Sequence, residues 1–391
     1  MSAIHSSRVD DVLRRSAARS PHRPALAFGD RSWTYRELDD AVTRAAAELL
    51  AKGVGSQERV AVYGSNSDAY VIAFLACSRA GLVHVPINNA LTGDELDYLL
   101  TDSGASLVLA DPGLAPRVVQ VSDVPVMALR DSDESLLSRV RSCGGPVPEV
   151  PEPDVDESGL VQLLYTSGTT SAPKGAMMSH RALVHEYFST IVALDLTGND
   201  APLHVMPLYH SAGMHVWMMP YLAVGAANQL MPSADVTAIL EQIEETRAGS
   251  IFLAPTVWVP LSQHEDFARR DLSSLRKAIY GASIMPVPVL ERLQKALPQL
   301  GFYNAFGQSE IGPLATVLRP EEHARHPGLH HVVERLTAAA VAVSEVADER
   351  NVQHDELVPR VRAPVVPVVK PRPRTEDTDR PAVMGNYPVR R

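Results

Sequence analysis

Apolar residues recur along this chain in two alternating periods. Leu38, Ala41, Val42, Ala45 and Leu49 lie three and four apart, which predicts an amphipathic helix over residues 38–50. Residues 59–63 (Arg-Val-Ala-Val-Tyr) then read as a short strand. The same alternation continues with a helix over 69–79, a strand over 83–87, a helix over 92–100 and a strand over 107–110. Thr92 and Glu95 form a capping-box pattern at the start of that last helix. Residues 142–158 are rich in Pro, Gly, Asp and Glu and read as a linker. An apolar run over 160–165 follows and predicts a buried strand. The second half repeats the theme: a helix over 236–246, strands over 250–253 and 277–280, a helix over 287–297, and a strand beginning at Phe302. Strands alternating with helices predict an α/β fold, mostly parallel sheets with helices on both faces.

The pattern divides the chain into a first α/β subdomain at 1–150, a second at 151–328, and an atypical tail at 329–391. From residue 359 the tail is dominated by Pro, Arg and Val without periodicity, which predicts disorder.

Composition narrows the function classes. The 391 residues leave ample length for a large core, and 45% hydrophobic with 21% charged residues is the balance of a soluble globular protein. A net charge of −10 argues against a nucleic-acid partner. No run of eighteen apolar residues predicts a transmembrane helix, although contact with a membrane surface stays open. The opening Met-Ser-Ala-Ile-His-Ser-Ser-Arg lacks the apolar centre of a signal peptide. Cys77 and Cys143 supply neither a disulfide framework nor a zinc set, and Cys77 falls in an apolar helical pattern as a small core residue. A cytoplasmic protein is expected.

Residues 165–175 read Tyr-Thr-Ser-Gly-Thr-Thr-Ser-Ala-Pro-Lys-Gly, a concentration of hydroxyls with one glycine and one lysine. The apolar strand precedes it, and Ser179 follows as a helix N-cap before Arg181-Ala182-Leu183. Strand, hydroxyl-rich loop and helix predict a cradle for phosphate oxygens, with backbone N–H groups, hydroxyls and a cation converging on one anion. The run is not a Walker A loop, because five residues separate Gly168 from Lys174 and Gly175 follows the lysine.

This segment resembles the phosphate loop of the adenylate-forming superfamily, Thr-Ser-Gly-Thr-Thr-Gly-x-Pro-Lys-Gly, with Ser171 in place of the second glycine. Further motifs resemble that family in its own order. They are Trp33-Thr34-Tyr35-Arg36-Glu37-Leu38, Gly81 to Asn88, Pro207-Leu208-Tyr209-His210-Ser211-Ala212-Gly213, Gly281-Ala282-Ser283, and Asn304-Ala305-Phe306-Gly307-Gln308-Ser309-Glu310. The resemblance covers roughly residues 8–328 and is closest to acyl-CoA synthetases of the fatty-acid–CoA ligase type.

The resemblance implies two mostly parallel sheets and an ATP-dependent ligase that converts a carboxylic acid to acyl-AMP and then to acyl-CoA. ATP, Mg²⁺ and coenzyme A would be its co-substrates and cofactor. Thr166, Ser167, Gly168, Thr169, Thr170 and Lys174 would hold the phosphates. Thr166 and Glu310 would bind Mg²⁺, and Ser309 the α-phosphate. Gly281, Ala282, Ser283, Phe306 and Gly307 would face the nucleotide base, with Phe306 as a flat stacking surface. Thr166, Lys174, His210 and Glu310 form the expected catalytic set, with His210 beside the acid. The apolar, methionine-rich stretch Met214 to Tyr221 suits a pliable wall for an alkyl or aryl acid, and a fatty acid is preferred.

After Gly328 the resemblance stops. The family's Tyr-x-Thr-Gly-Asp motif, its Asp-Arg hinge and the lysine of its C-terminal domain are not found, and Lys370 does not match that lysine. A frame shift or truncation near this point, with impaired activity, is the expectation. Two alternatives remain: a non-catalytic nucleotide- and acyl-binding remnant, and an adenylation domain feeding a carrier protein.

Overall fold

A computed structural model describes residues 7–142, 144–166 and 173–325. Cys143, the loop residues Ser167, Gly168, Thr169, Thr170 and Ser171, and the whole tail lie outside the described residues.

The chain opens with helix α1 (Asp11–Arg19), strands β1 (Pro24–Phe28) and β2 (Arg31–Thr34), and helix α2 (Tyr35–Ala51). Strands and helices then alternate: β3 (Arg59–Tyr63), α3 (Asp68–Ala80), β4 (Val83–Ile87), α4 (Gly93–Ser103), β5 (Ala105–Ala110), α5 (Ala115–Val121), β6 (Val126–Ala128) and α6 (Leu136–Ser142). Next come β7 (Leu160–Thr166), β8 (Lys174–Ser179), α7 (His180–Ala193) and β9 (Pro202–His204). A π-helix (Ala212–Met218) runs into α8 (Met219–Val224), followed by β10 (Asn228–Leu230), α9 (Val236–Thr246), β11 (Ser250–Phe252) and α10 (Pro255–Gln263). The described part ends with β12 (Lys277–Gly281), α11 (Val287–Ala296), β13 (Gly301–Phe306), β14 (Thr316–Leu318) and α12 (Pro320–Arg325).

Two sheets result. One has six strands in the order β6-β5-β3-β4-β7-β8, parallel except for the terminal β7–β8 pair. The other has eight in the order β14-β13-β12-β11-β9-β10-β1-β2, parallel except for the pairs at its two edges. The sheets are not consecutive in sequence. The early strands β1 and β2 join the second sheet through β10, while β7 and β8 join the first through β4.

Helix α3 lies at the centre, and every residue from Asp68 to Ala80 is buried. Its sequence is apolar on all sides, so burial on all sides is what it requires. Its two charges are paired. Asp68 accepts from the Arg31 guanidinium at 2.8 and 2.7 Å and from the Trp33 indole at 2.9 Å. Arg79 reaches Asp10 at 3.2 Å and Asp39 at 2.5 Å. A buried charge is tolerated when it is paired in this way.

The capping expected at Thr92 does not form, since no side-chain hydrogen bond is made there. The pattern is realised at Thr34 instead. Its hydroxyl accepts from the Glu37 backbone N–H, and the Glu37 carboxylate accepts from the Thr34 backbone N–H.

The expected order of strand, loop and helix is also corrected. Lys174–Ser179 forms β8, which pairs antiparallel with β7, so a strand rather than a helix N-terminus begins at Lys174. Ser179 does cap α7, accepting from the Ala182 N–H at 3.2 Å.

Candidate active site

The C-terminal ends of parallel strands converge on one cavity, where an open α/β sheet is expected to place a ligand site. Thr166 ends β7, Phe252 ends β11, Ala282 follows β12, and Ala305 and Phe306 end β13. The cavity measures about 290 Å³ and lies between the two sheets. These residues line it with His210, Ser211, Ala212, Val216, Gly307, Gln308, Ser309, Glu310, Pro313 and Leu314.

Two pairs of its polar side chains are bonded to each other. The Thr166 hydroxyl donates to Glu310 Oε1 at 2.8 Å, and the hydroxyls of Ser211 and Ser309 are 2.8 Å apart. The Ala212 N–H donates to His210 Nδ1 at 3.2 Å, which leaves the proton of a neutral ring on Nε2. The ring is open to the cavity, yet the protein atoms around it lower its pKa by desolvation, so it is neutral at pH 7.

Phe306 is half-buried on the cavity wall. Gly307 is required by close approach: a Cβ there would lie 1.7 Å from the Pro313 carbonyl oxygen. Gly281 and Ser283 do not line the cavity. Gly281 is buried between strands, where a Cβ would meet the Ala305 carbonyl oxygen at 2.2 Å, and Ser283 is exposed. Lys174 is exposed, directly opposite Thr166 in the β7–β8 register.

The methionine wall expected after His210 is not where the cavity is. From Met214 to Tyr221 only Val216 lines it, while Met214, Met218 and Met219 are packed in the core around α3. A π-helix explains this. Its wider turn breaks the usual face-to-face periodicity, and such turns concentrate at functional sites.

A buried polar chain that sequence reading missed holds this region in register. The Tyr187 hydroxyl lies 2.9 Å from His215 Nδ1, His215 Nε2 lies 2.7 Å from Gln162 Oε1, and Gln162 Nε2 lies 2.9 Å from His84 Nδ1. The amide of Gln162 fixes the direction. Its N–H donates to His84, its oxygen accepts from His215, and Tyr187 therefore donates to His215. The chain ties α7, the π-helix, β7 and β4 together. Burial pushes the pKa of both histidines down to about 3, so both are neutral. Asn66 makes a second tie, donating to the Met206 carbonyl at 3.1 Å and accepting from the Leu208 N–H at 2.8 Å, just before His210.

Among the described residues no group of three or more His, Cys, Asp or Glu could hold a metal ion. The hydroxyl of Thr166 and the carboxylate of Glu310 are two hard oxygen donors, too few for a protein cage. They do fit Mg²⁺, which is usually held by one or two protein oxygens with substrate phosphates and water completing its shell. No described helix is long and apolar enough to cross a membrane.

The sequence profile described as "AMP-binding enzyme" matches residues 13–356. The chain is 33% identical over 333 residues to a feruloyl-CoA synthase from Amycolatopsis sp., covering 84% of this chain and 62% of that protein. It is 30% identical over 332 residues to an indoleacetate–CoA ligase from Aromatoleum aromaticum, covering 82% and 63%. The chain thus spans less than two thirds of the length of these relatives. Among solved structures, the inhibitor-bound N-terminal domain of FACL13 from Mycobacterium tuberculosis superposes with a TM-score of 0.75 at 26% identity, covering 82% of this chain and 80% of that one. The profile match and the similarity to the feruloyl-CoA synthase lead to one conclusion: this chain belongs to the AMP-binding enzyme family.

Proposed function

We propose that this protein activates a carboxylic acid with ATP, giving an acyl adenylate and pyrophosphate, and that the acyl group then passes to coenzyme A as a thioester. The observation that carries the reading is that Thr166, His210, Ser309 and Glu310 line one cavity. The names of the similar CoA ligases support the same class of reaction.

In the first step a carboxylate oxygen forms a bond to the α-phosphorus, and the bond from that phosphorus to the bridging oxygen breaks. Both partners are anionic, so alignment and charge screening dominate. The 166–174 hairpin loop takes the β- and γ-phosphates, Ser309 donates to the α-phosphate, and Phe306 stacks on adenine. Thr166 and Glu310 hold Mg²⁺, which when bound offsets the phosphate charge. His210, neutral with its proton on Nε2, donates to the acid's carboxylate and orients it. No described residue is assigned to CoA.

The acid has an apolar body. Val216, Phe252, Ala305 and Leu314 belong to the cavity's apolar lining, and Glu310 is the one charged residue on the described wall. No described cation waits there for a second carboxylate. Behind the wall Trp217 packs edge-on against Tyr221 and Phe252, with centroids 4.8 and 6.0 Å away. A rigid aromatic backing of this kind favours a flat aromatic acid over the fatty acid preferred from the sequence.

Calorimetry with Mg·ATP, and mass spectrometry of the products formed with ATP and an aromatic acid, test the reading. Binding to the wild type, weakened about tenfold or more in Glu310→Gln as expected for loss of an ionic contact, together with an acyl adenylate, supports it. Equal binding by both proteins overturns the site, and bound ATP without any adenylate overturns the reaction.

A further inference from the structure

Glu186 lies on α7, outside every role assigned above, and it is buried. Its Oε1 accepts from the Leu314 backbone N–H at 2.9 Å and from the Thr190 hydroxyl at 3.2 Å. Its Oε2 faces Gly312, where a Cβ would stand 3.3 Å away. Gly312 has φ +81°, a conformation that side chains disfavour, so the chain turns sharply there toward the carboxylate.

The segment from Gly307 to Leu314 is therefore fastened at both ends. Gly307 packs on the Pro313 carbonyl, and Leu314 is tied to Glu186. Glu310 sits between the two fastenings, in the 3₁₀ turn Ser309–Ile311. Leu314 also packs on the aromatic cluster behind the cavity.

The next residue on α7 makes the other tie. Tyr187 bonds to His215 in the π-helix, and α7 itself continues from β8, the return strand of the phosphate hairpin. Adjacent side chains of one helix thus reach two walls of the cavity. Burial raises the pKa of Glu186, so an acidic group is retained here against a desolvation cost.

We propose that Glu186 is a positioning residue, whose carboxylate anchors the Leu314 N–H and thereby sets Glu310 in its place opposite Thr166. The inference rests on the reading of Glu310 as the residue that meets Mg·ATP. Its working part is the Oε1 acceptor, not the charge.

Amide hydrogen exchange of Leu314 and Mg·ATP calorimetry, run on Glu186→Gln, Glu186→Ala and Thr190→Val, test it. Glu186→Gln keeps the acceptor, and both readouts should stay within about twofold of wild type. Glu186→Ala should exchange Leu314 about tenfold faster or more and weaken Mg·ATP binding about five- to tenfold, within the range expected for one ordinary hydrogen bond. Thr190→Val removes the other bond to the same oxygen and should leave Mg·ATP affinity unchanged. If Glu186→Ala does not fold, Glu186→Asp, which draws the acceptor back by one methylene, carries the same expectations. Unchanged Leu314 exchange in the shortened variants overturns the anchor. Faster exchange with wild-type Mg·ATP affinity overturns the positioning role, as does Glu186→Gln behaving like Glu186→Ala. A wild type that binds no Mg·ATP overturns the proposed function instead, and the exchange measurement then decides the anchor alone.

Discussion

Thr166 and Glu310 are 144 residues apart in sequence, yet the threonine hydroxyl donates to the glutamate carboxylate at 2.8 Å. Thr166 ends a strand of the six-stranded sheet, and Glu310 follows a strand of the eight-stranded one. The bond therefore closes the cavity across the two sheets. Under the proposed function, a cation that takes both oxygens would replace this hydrogen bond.

Thr166→Val keeps the shape of the side chain and deletes the hydroxyl. It is expected to weaken Mg·ATP binding about tenfold, while an exposed bond of this kind contributes only about 0.5–1.5 kcal/mol to folding. Thr166→Ser should retain binding. Calorimetry and thermal melts on the two variants decide the matter; a valine variant that binds normally removes Thr166 from the site.

Gly307→Ala should be far more damaging than a helix-surface change to alanine. Its Cβ would stand 1.7 Å from the Pro313 carbonyl oxygen, a backbone atom that cannot swing away. The 307–314 segment must then shift, taking Glu310 with it. Loss of stability of about 1–3 kcal/mol, the usual cost of overpacking, and loss of detectable Mg·ATP binding are expected. A urea melt and calorimetry that both match wild type would show that the segment can relax.

The sequence made some of this legible for identifiable reasons. Strands β3 and β4 and helix α9 have the predicted limits because each is a short apolar pattern bounded by turn residues. Strand β8 was missed: Lys-Gly-Ala-Met-Met-Ser carries a glycine and no β-branched residue, and it forms only because β7 offers an edge to pair with. The π-helix was illegible because all of Gly213 to Met218 is buried, which erases any periodicity. Thr166, His210, Phe306, Gly307, Ser309 and Glu310 meet at the cavity and were found through local motifs. Glu186 and Gln162 were not, since their partners lie up to 128 residues away and no local spacing announces them.

The buried histidines predict the acid limb of the stability curve. His84 and His215 have pKa values of about 3 in the folded protein and near 6.5 unfolded. Below about pH 6.5 the unfolded chain takes up protons that the folded one refuses, so each histidine lowers stability by about 1.4 kcal/mol per pH unit until the folded value is reached. Between pH 6.5 and 5 that amounts to about 2 kcal/mol each. His84→Gln cannot titrate and should flatten the pH dependence by about that much, whatever it costs at pH 7. Urea melts of both proteins at pH 7 and pH 5 give the comparison, and parallel losses would place His84 outside the acid response.

Val216 is the sharpest handle on the acid. From Met214 to Tyr221 this one residue is turned to the cavity, while Trp217 and Met218 go to the core. Val216→Phe fills space on the apolar wall that Phe252 also lines, in front of the buried Trp217 and Tyr221. A single-ring acid can still lie beside it, whereas a two-ring acid loses the room its second ring needs. Discrimination of this steric kind typically amounts to about 1–3 kcal/mol, or 10–200-fold. The variant should therefore weaken a naphthoic acid at least tenfold more than benzoic acid. Mg·ATP affinity should stay at the wild-type level, because Thr166, Ser309 and Glu310 are untouched. Competition calorimetry with the two acids, followed by a Mg·ATP titration, separates the cases. Equal weakening of both acids would mean that the acid lies elsewhere, and a parallel loss of Mg·ATP would mean that the phenylalanine has disturbed the whole cavity rather than its apolar wall.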